Sequence, residues 1–282
     1  MGASSEPYCE VHHGEGPYLL MLHGFLCSRA QWMPNIDALS KIARPVVVEL
    51  LGHGRSPAPA SPEPYRPGGY VEAFESIRKR LGASRWLICG QSLGAGIVLR
   101  YALEHPEHIM AQVFTNSTSA LQERILIADA RKATEAFAEK LLEEGREGLE
   151  RLPIHPIHAV QLPDEVRSAL VRDSLSISPL GAVNTILYTL PEVSVRPMIA
   201  KNIVPALLVC GKKEKRFEPY REYARTHMPL LDIVDVEAGH AVNIEAAQPF
   251  NEAVTAFLGK HGESRSHHFR AGGAEAARPL KP

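Results

Sequence analysis

The 282-residue sequence predicts an α/β fold, a wound and mostly parallel sheet with helices between its strands. Three observations predict it. Short apolar runs recur at 18–22, 45–50, 85–89, 110–115, 205–210 and 231–236, each ending in glycine or a small polar turn. Several of these runs are continuous, as in strands covered on both faces. Segments of helical period separate them, so strands and helices alternate along the chain. Hydrophobic residues make up 45% of the chain, enough to bury a sizeable core.

The elements follow in order. The first run closes on His23-Gly24-Phe25, and the second leads to Gly52-His53-Gly54-Arg55-Ser56, where His53 serves the turn. Prolines 57, 59, 62, 64 and 67 stiffen the connection to a helix starting near Gly69. The third run passes through Gly90-Gln91-Ser92-Leu93-Gly94 into a helix whose apolar face is Leu93, Ile97, Val98, Tyr101 and Ala102. From about 119 to 196 the chain is helical and strand-poor, which reads as a cap inserted between two strands. The last two runs resume the sheet. Phe250, Val254, Phe257 and Leu258 mark a final helix, with Gly259 as its expected C-cap. The organisation expected is a core of 1–118 and 197–260, a cap of 119–196, and a polar, aperiodic tail of 261–282 that reads as disordered.

Charge and cysteine use exclude several functions. Lys+Arg total 31 against Asp+Glu 32, so no net field gathers nucleic acid or anionic lipid. No apolar run approaches the roughly 20 residues that span a bilayer, and no signal peptide opens the chain. Cys9, Cys27, Cys89 and Cys210 stand apart without a CxxC pair, and the last two end apolar runs as buried thiols. A reduced, cytoplasmic protein is the simplest reading.

The chemistry concentrates in four loops. A strand-to-helix turn as sharp as the one at 90–94 strains the backbone of Ser92, and glycines two before and two after remove the side chains that would clash. Its hydroxyl then stands at a helix N-terminus, where free N–H groups favour developing negative charge. Phe25, after the His-Gly pair, and Leu93, after the serine, supply backbone N–H groups for an oxyanion hole; His23 reads as structural. His240, in the loop after the last run, is placed as general base. The acid belongs between Ser92 and His240 in a loop after a strand. Glu214 has that address, with Glu218 and Asp235 in reserve. His155 and His158 sit among prolines with no third ligand nearby, so no metal is read there. No phosphate-cradling glycine loop or dinucleotide fingerprint is present, so no cofactor is implied.

Together L-H-G-F, G-H-G-x-S, G-Q-S-L-G, G-x-x-E and G-H-A resemble the α/β-hydrolase superfamily over about residues 8–259. That resemblance implies an eight-stranded, mostly parallel sheet, a serine nucleophile, and a helical cap inserted after strand six. More narrowly, HGFLCSRAQW, Gln122-Glu123-Arg124 and GKKEKRF are similar to the menaquinone-pathway succinyl-hydroxy-cyclohexadiene-carboxylate synthases. These eliminate pyruvate from a carboxylated ring, with basic residues binding the carboxylates; Arg124 matches one of them. The chain departs from that branch at three places. Gly96 stands where the branch has an arginine, Glu214-Lys215-Arg216-Phe217 replaces D-x-K-F, and Arg196-Pro197-Met198-Ile199 replaces Q-P-S-L-W. The departures point to a relative adapted to another substrate. The expectation is a serine hydrolase cleaving a small-molecule carboxylic ester through an acyl-enzyme. A lyase or carbon–carbon bond hydrolase using the same residues is the first competitor, and a non-hydrolysing ligand receptor on the same fold the second.

Overall fold

The computed structural model describes residues 5–123 and 128–262. Seven strands form one sheet: β1 (Cys9–Val11), β2 (Tyr18–Leu22), β3 (Arg44–Val48), β4 (Trp86–Gly90), β5 (Ile109–Thr115), β6 (Ala206–Gly211) and β7 (Leu231–Val236). Their spatial order is β1-β3-β2-β4-β5-β6-β7. β1 lies antiparallel on β3 and every other neighbour is parallel, for example Leu20 beside Ile88 in β2 and β4. The helices in chain order are α1 (Met33–Leu39), α2 (Pro67–Arg80), α3 (Leu93–Glu104), α4 (Thr118–Leu121), α5 (Ala128–Glu150), α6 (Asp164–Ser174), α7 (Pro179–Asn184), α8 (Glu218–His227), α9 (Val242–Glu245) and α10 (Ala247–Gly262).

The six expected strands are present within a residue or two of their expected bounds. The eighth strand is not found among the described residues, and the helical insertion follows the fifth strand, not the sixth. Both differences have one origin: a single short strand, β1, makes up the antiparallel edge. Two residues before it stands Pro7, which has no amide to extend a ladder. Each later strand therefore moves down by one in the count. The edge strand β1 itself is too short for its apolar pattern to stand out.

Strand residues alternate between two cores. Leu20, Leu22, Val46, Val48, Trp86 and Ile88 face Tyr70, Phe74 and Ile77 of α2 and Ile97, Val98 and Tyr101 of α3. Leu19, Met21, Val47, Leu87, Cys89 and Val113 face Trp32, Leu39 and the α10 residues Phe250, Val254, Phe257 and Leu258. Both layers are fully buried, which explains why the runs read as continuous. Phe250 is 0% exposed, its ring 6.3 Å from that of Trp32. Phe250→Ala is expected to cost about 3–5 kcal/mol, read as a lower urea midpoint with unchanged slope.

The helix α10 continues through Gly259, whose φ is not left-handed, so this glycine is not the C-cap expected. His261 extends the helix and packs its ring 4.8 Å from that of Phe257. The helix takes in residues 261 and 262 of the expected tail, and 263–282 lie outside the described residues. Cys89 and Cys210 are buried, and all four cysteines are free. Among the described residues no helix is long and apolar enough to cross a membrane.

Candidate active site

The site stands at the carboxyl edge of the central strands. β4 ends at Gly90 and α3 begins at Leu93, leaving two residues to reverse the chain. Ser92 takes φ 51° and ψ −116°, a strained backbone for a residue with a side chain. A Cβ on Gly90 would lie 2.5 Å from the Gly94 carbonyl oxygen, and one on Gly94 would lie 2.4 Å from that of Leu22. Only glycine fits at either place, as the spacing predicts. Ser117 Oγ donates to the Ser92 carbonyl at 2.6 Å and holds the turn from the end of β5.

The loop after β7 brings His240 over this turn. Ser92 Oγ lies 2.9 Å from His240 Nε2, and His240 Nδ1 lies 2.9 Å from Glu214 Oε2. A carboxylate only accepts, so Nδ1 carries the proton and Nε2 accepts from the serine hydroxyl. Glu214 leaves β6 with its side chain only 8% exposed. Burial raises its pKa, but the hydrogen bond and charge of His240, with bonds from Asn116 and Arg216, outweigh it and draw it down to about 2. The carboxylate is thus held ionised beside the imidazole. Neither reserve takes this place: Asp235 pairs with Arg221 at 2.9 and 2.7 Å, and Glu218 opens α8.

The reading from sequence missed the groups that hold these three. Asn116 Nδ2 donates to Glu214 Oε2 at 3.0 Å, while its own Oδ1 accepts from Gly211 N–H at 3.0 Å. Glu245 accepts from Gly239 N–H at 2.7 Å and Ala241 N–H at 3.1 Å, straddling His240. Gln91 Nε2 donates to the His240 carbonyl at 3.0 Å. A polar residue directly after an apolar strand is the signal Asn116 carried. Glu245 and Gln91 act across folds of the chain and carried none.

Gly24 abuts the serine, with a hypothetical Cβ 3.2 Å from Ser92 Cβ. Phe25 is the next residue in that turn and Leu93 the first of α3; neither N–H donates a hydrogen bond within the described residues. His23 is buried and structural, as expected. Arg124 lies outside the described residues. At Gly96, a Cβ would lie 2.7 Å from Val193 Cγ2 and 3.3 Å from Ala120 Cβ, both residues fully buried.

Two histidine groups bear on metal binding. His155 Nδ1 accepts from Ile157 N–H and His158 Nε2 faces the Glu150 carbonyl, so both serve their own loop. Glu75, His105 and His108 bring ligand atoms within 4.8 Å of one another. The Glu75 carboxylate is already occupied by two bonds from Arg78, at 2.9 and 2.7 Å, and one from Tyr101 at 2.6 Å. That set is an ion-pair network.

With a parallel sheet, a strained serine turn and a histidine and carboxylate in later loops, the class is defined. The alpha/beta hydrolase fold family matches residues 17–247, and the chain belongs to that family. Its relatives differ in the reaction named for them. A Bacillus subtilis protein assigned as 2-succinyl-6-hydroxy-2,4-cyclohexadiene-1-carboxylate synthase is 26% identical over 259 residues, covering 86% of this chain and 92% of its own. A pimeloyl-(acyl-carrier protein) methyl ester esterase of Aeromonas hydrophila is 27% identical over 259 residues, covering 87% of this chain and 97% of its own. Among solved structures, MenH from S. aureus superposes with a TM-score of 0.79 at 19% identity, covering 90% of this chain and 98% of that one.

Proposed function

We propose that the protein is a serine hydrolase that cleaves a carboxylic ester through an acyl-enzyme. The observation that carries the reading is the unbroken relay Ser92–His240–Glu214, with 2.9 Å at both links. Ser92 Oγ attacks the acyl carbon as His240 Nε2 takes its proton. The charged imidazole is stabilised by Glu214, and the oxyanion by the N–H groups of Phe25 and Leu93. His240 then returns the proton to the departing alkoxide. In the second half it activates water, which attacks the acyl carbon and releases the acid and Ser92.

The residues at two of the branch's substrate-binding positions argue against a highly anionic acyl group. The position that carries an arginine in the synthase branch is Gly96, and even a methyl there would crowd Val193. Arg196, from the same region, is committed: it lies 3.5 Å over the Tyr223 ring, donates to the Leu121 carbonyl at 3.0 Å and pairs with Glu123 at 3.5 Å. The helices between β5 and β6 act in this reading as a cap that selects the acyl chain by size. Small esters without several anionic groups are the substrate class, and the four free thiols support a reducing, cytoplasmic setting.

The test is labelling by a fluorophosphonate together with turnover of p-nitrophenyl esters of graded acyl length. Labelling of Ser92 with turnover is the expected result. Labelling without turnover of any ester would transfer the assignment to the lyase or carbon–carbon hydrolase reading, which the likeness to the synthase supports. A stoichiometric bound ligand with neither labelling nor turnover is the signature of a receptor.

A further inference from the structure

We propose that His53 and His23 are positioning residues, each imidazole pinning one of the two peptide planes that flank Phe25. The inference rests on the serine-hydrolase reading, in which the Phe25 N–H binds the oxyanion. A trans peptide is planar, so its carbonyl and N–H point in opposite directions, and fixing one fixes the other. In the Gly24–Phe25 peptide the Gly24 oxygen is held twice, by His23 Nδ1 at 2.8 Å and by Cys27 N–H at 3.2 Å. This directs the Phe25 N–H away from those groups and leaves it unbonded. The Phe25–Leu26 peptide is held from its other end, where Leu26 N–H donates to His53 Nε2 at 3.2 Å.

The bonding fixes both tautomers. His23 Nε2 accepts from Leu50 N–H at 3.1 Å, so its proton is on Nδ1, facing the Gly24 carbonyl. His53 Nε2 accepts from Leu26 N–H, so its proton is on Nδ1, facing the Leu51 carbonyl at 3.0 Å. The loops at 23–27 and 50–54 thus exchange one imidazole acceptor each. Both rings are fully buried, their centroids 5.5 Å apart. Burial and the neighbouring His53 push His23 down to about 3, and burial pushes His53 down to about 4, so both are neutral at pH 7.

The brace is needed because the turn is strained. Leu26 has φ 57°, a left-handed conformation that a residue with a Cβ holds only where its surroundings over-determine it. Relaxation of Leu26 would rotate the plane bearing the Phe25 carbonyl and pull on Phe25 Cα, where the two planes meet, and a shift of that atom displaces the oxyanion donor. A ring that only filled space would be replaceable by leucine at little kinetic cost.

The experiment compares His53→Leu with His53→Gln in the full chain, with His23→Leu and His23→Asn as the matching pair. Glutamine keeps an acceptor near the Nε2 position, and asparagine keeps a donor near Nδ1. His53→Leu is expected to lower kcat about 100-fold with KM within about twofold, in the range seen when an oxyanion donor is lost. It should weaken a phenylboronic acid, which mimics the tetrahedral intermediate, by the same factor, and His53→Gln should recover most of both. A folded His53→Leu protein with unchanged kcat, or a loss confined to KM with boronate affinity intact, overturns the proposal. Imidazole 15N spectra of the unmodified protein give a variant-free check: both rings must show a protonated Nδ1 and a bare Nε2 at pH 7, and a protonated Nε2 on either overturns it. If the unmodified protein turns over no ester, the hydrolase reading falls, while the spectra still decide whether the brace exists.

Discussion

Replacing Ser92 with alanine is expected to abolish ester turnover, a fall in kcat of about a million-fold, to whatever the oxyanion donors and binding alone provide. The size follows from the absence of a substitute nucleophile at the same point. Ser117, a hydroxyl bonded to the same turn, donates to the Ser92 carbonyl at 2.6 Å and lies 3.4 Å from Ser119 Oγ. It faces the backbone of the turn, not His240. The substitution leaves the fold in place, because alanine takes the same backbone conformation with a smaller side chain and the Ser117 bond goes to a carbonyl that remains. Circular dichroism and the urea midpoint should therefore match the unmodified protein while fluorophosphonate labelling disappears. Near-full turnover in a folded Ser92→Ala protein would falsify the assignment of the nucleophile.

The same contrast shows what one sequence can and cannot display. Ser92, Gly90 and Gly94 were legible because a two-residue reversal between strand and helix admits few residue types, and the constraint is local. His240 and Glu214 were legible by address, each in the loop after a late apolar run. The sheet was legible because burial on two faces writes continuous apolar text. Asn116, Gln91 and Glu245 were not, since their partners lie at Glu214, at the His240 carbonyl and at two backbone amides, and a backbone amide has no residue type to recognise. The edge strand went unread for a related reason: β1 has three residues, only one of them a β-branched hydrophobe. Gly259 shows the reverse error. A glycine near a helix end suggests a left-handed cap, but the apolar contact of His261 with Phe257 outweighs the propensity and carries the helix on.

Glu214→Gln is the more informative substitution, because the surroundings of the carboxylate decide how it fails. An amide at this position can face His240 with its oxygen or its NH2. The NH2 orientation would force the imidazole proton onto Nε2, the wrong tautomer for accepting from Ser92, the kind of fault that costs about 10,000-fold when it occurs in such relays. Here the Oε2 position also receives Asn116 Nδ2 at 3.0 Å, so two donors converge on it and select the oxygen. The NH2 is left facing Arg216, whose 80% exposed side chain can turn into solvent. The tautomer therefore survives, and what is lost is the negative charge that stabilises the imidazolium. The expected fall in kcat is about 100- to 1,000-fold with KM little changed. A second loss of similar size should appear in Glu214→Gln/Asn116→Ala, where the amide is free to flip. Stability carries an independent signature. The folded carboxyl titrates near 2 against an ordinary value of 4.5, so its charge stabilises the fold fully above about pH 4.5, and that contribution is lost as the pH falls toward 2. Urea midpoints of the unmodified protein should exceed those of Glu214→Gln at pH 5, and the gap should narrow as the pH falls from about 4.5 toward 2. A gap that does not narrow between about pH 4.5 and 2, or a kcat within threefold of the unmodified protein, is the result that would remove Glu214 from the relay.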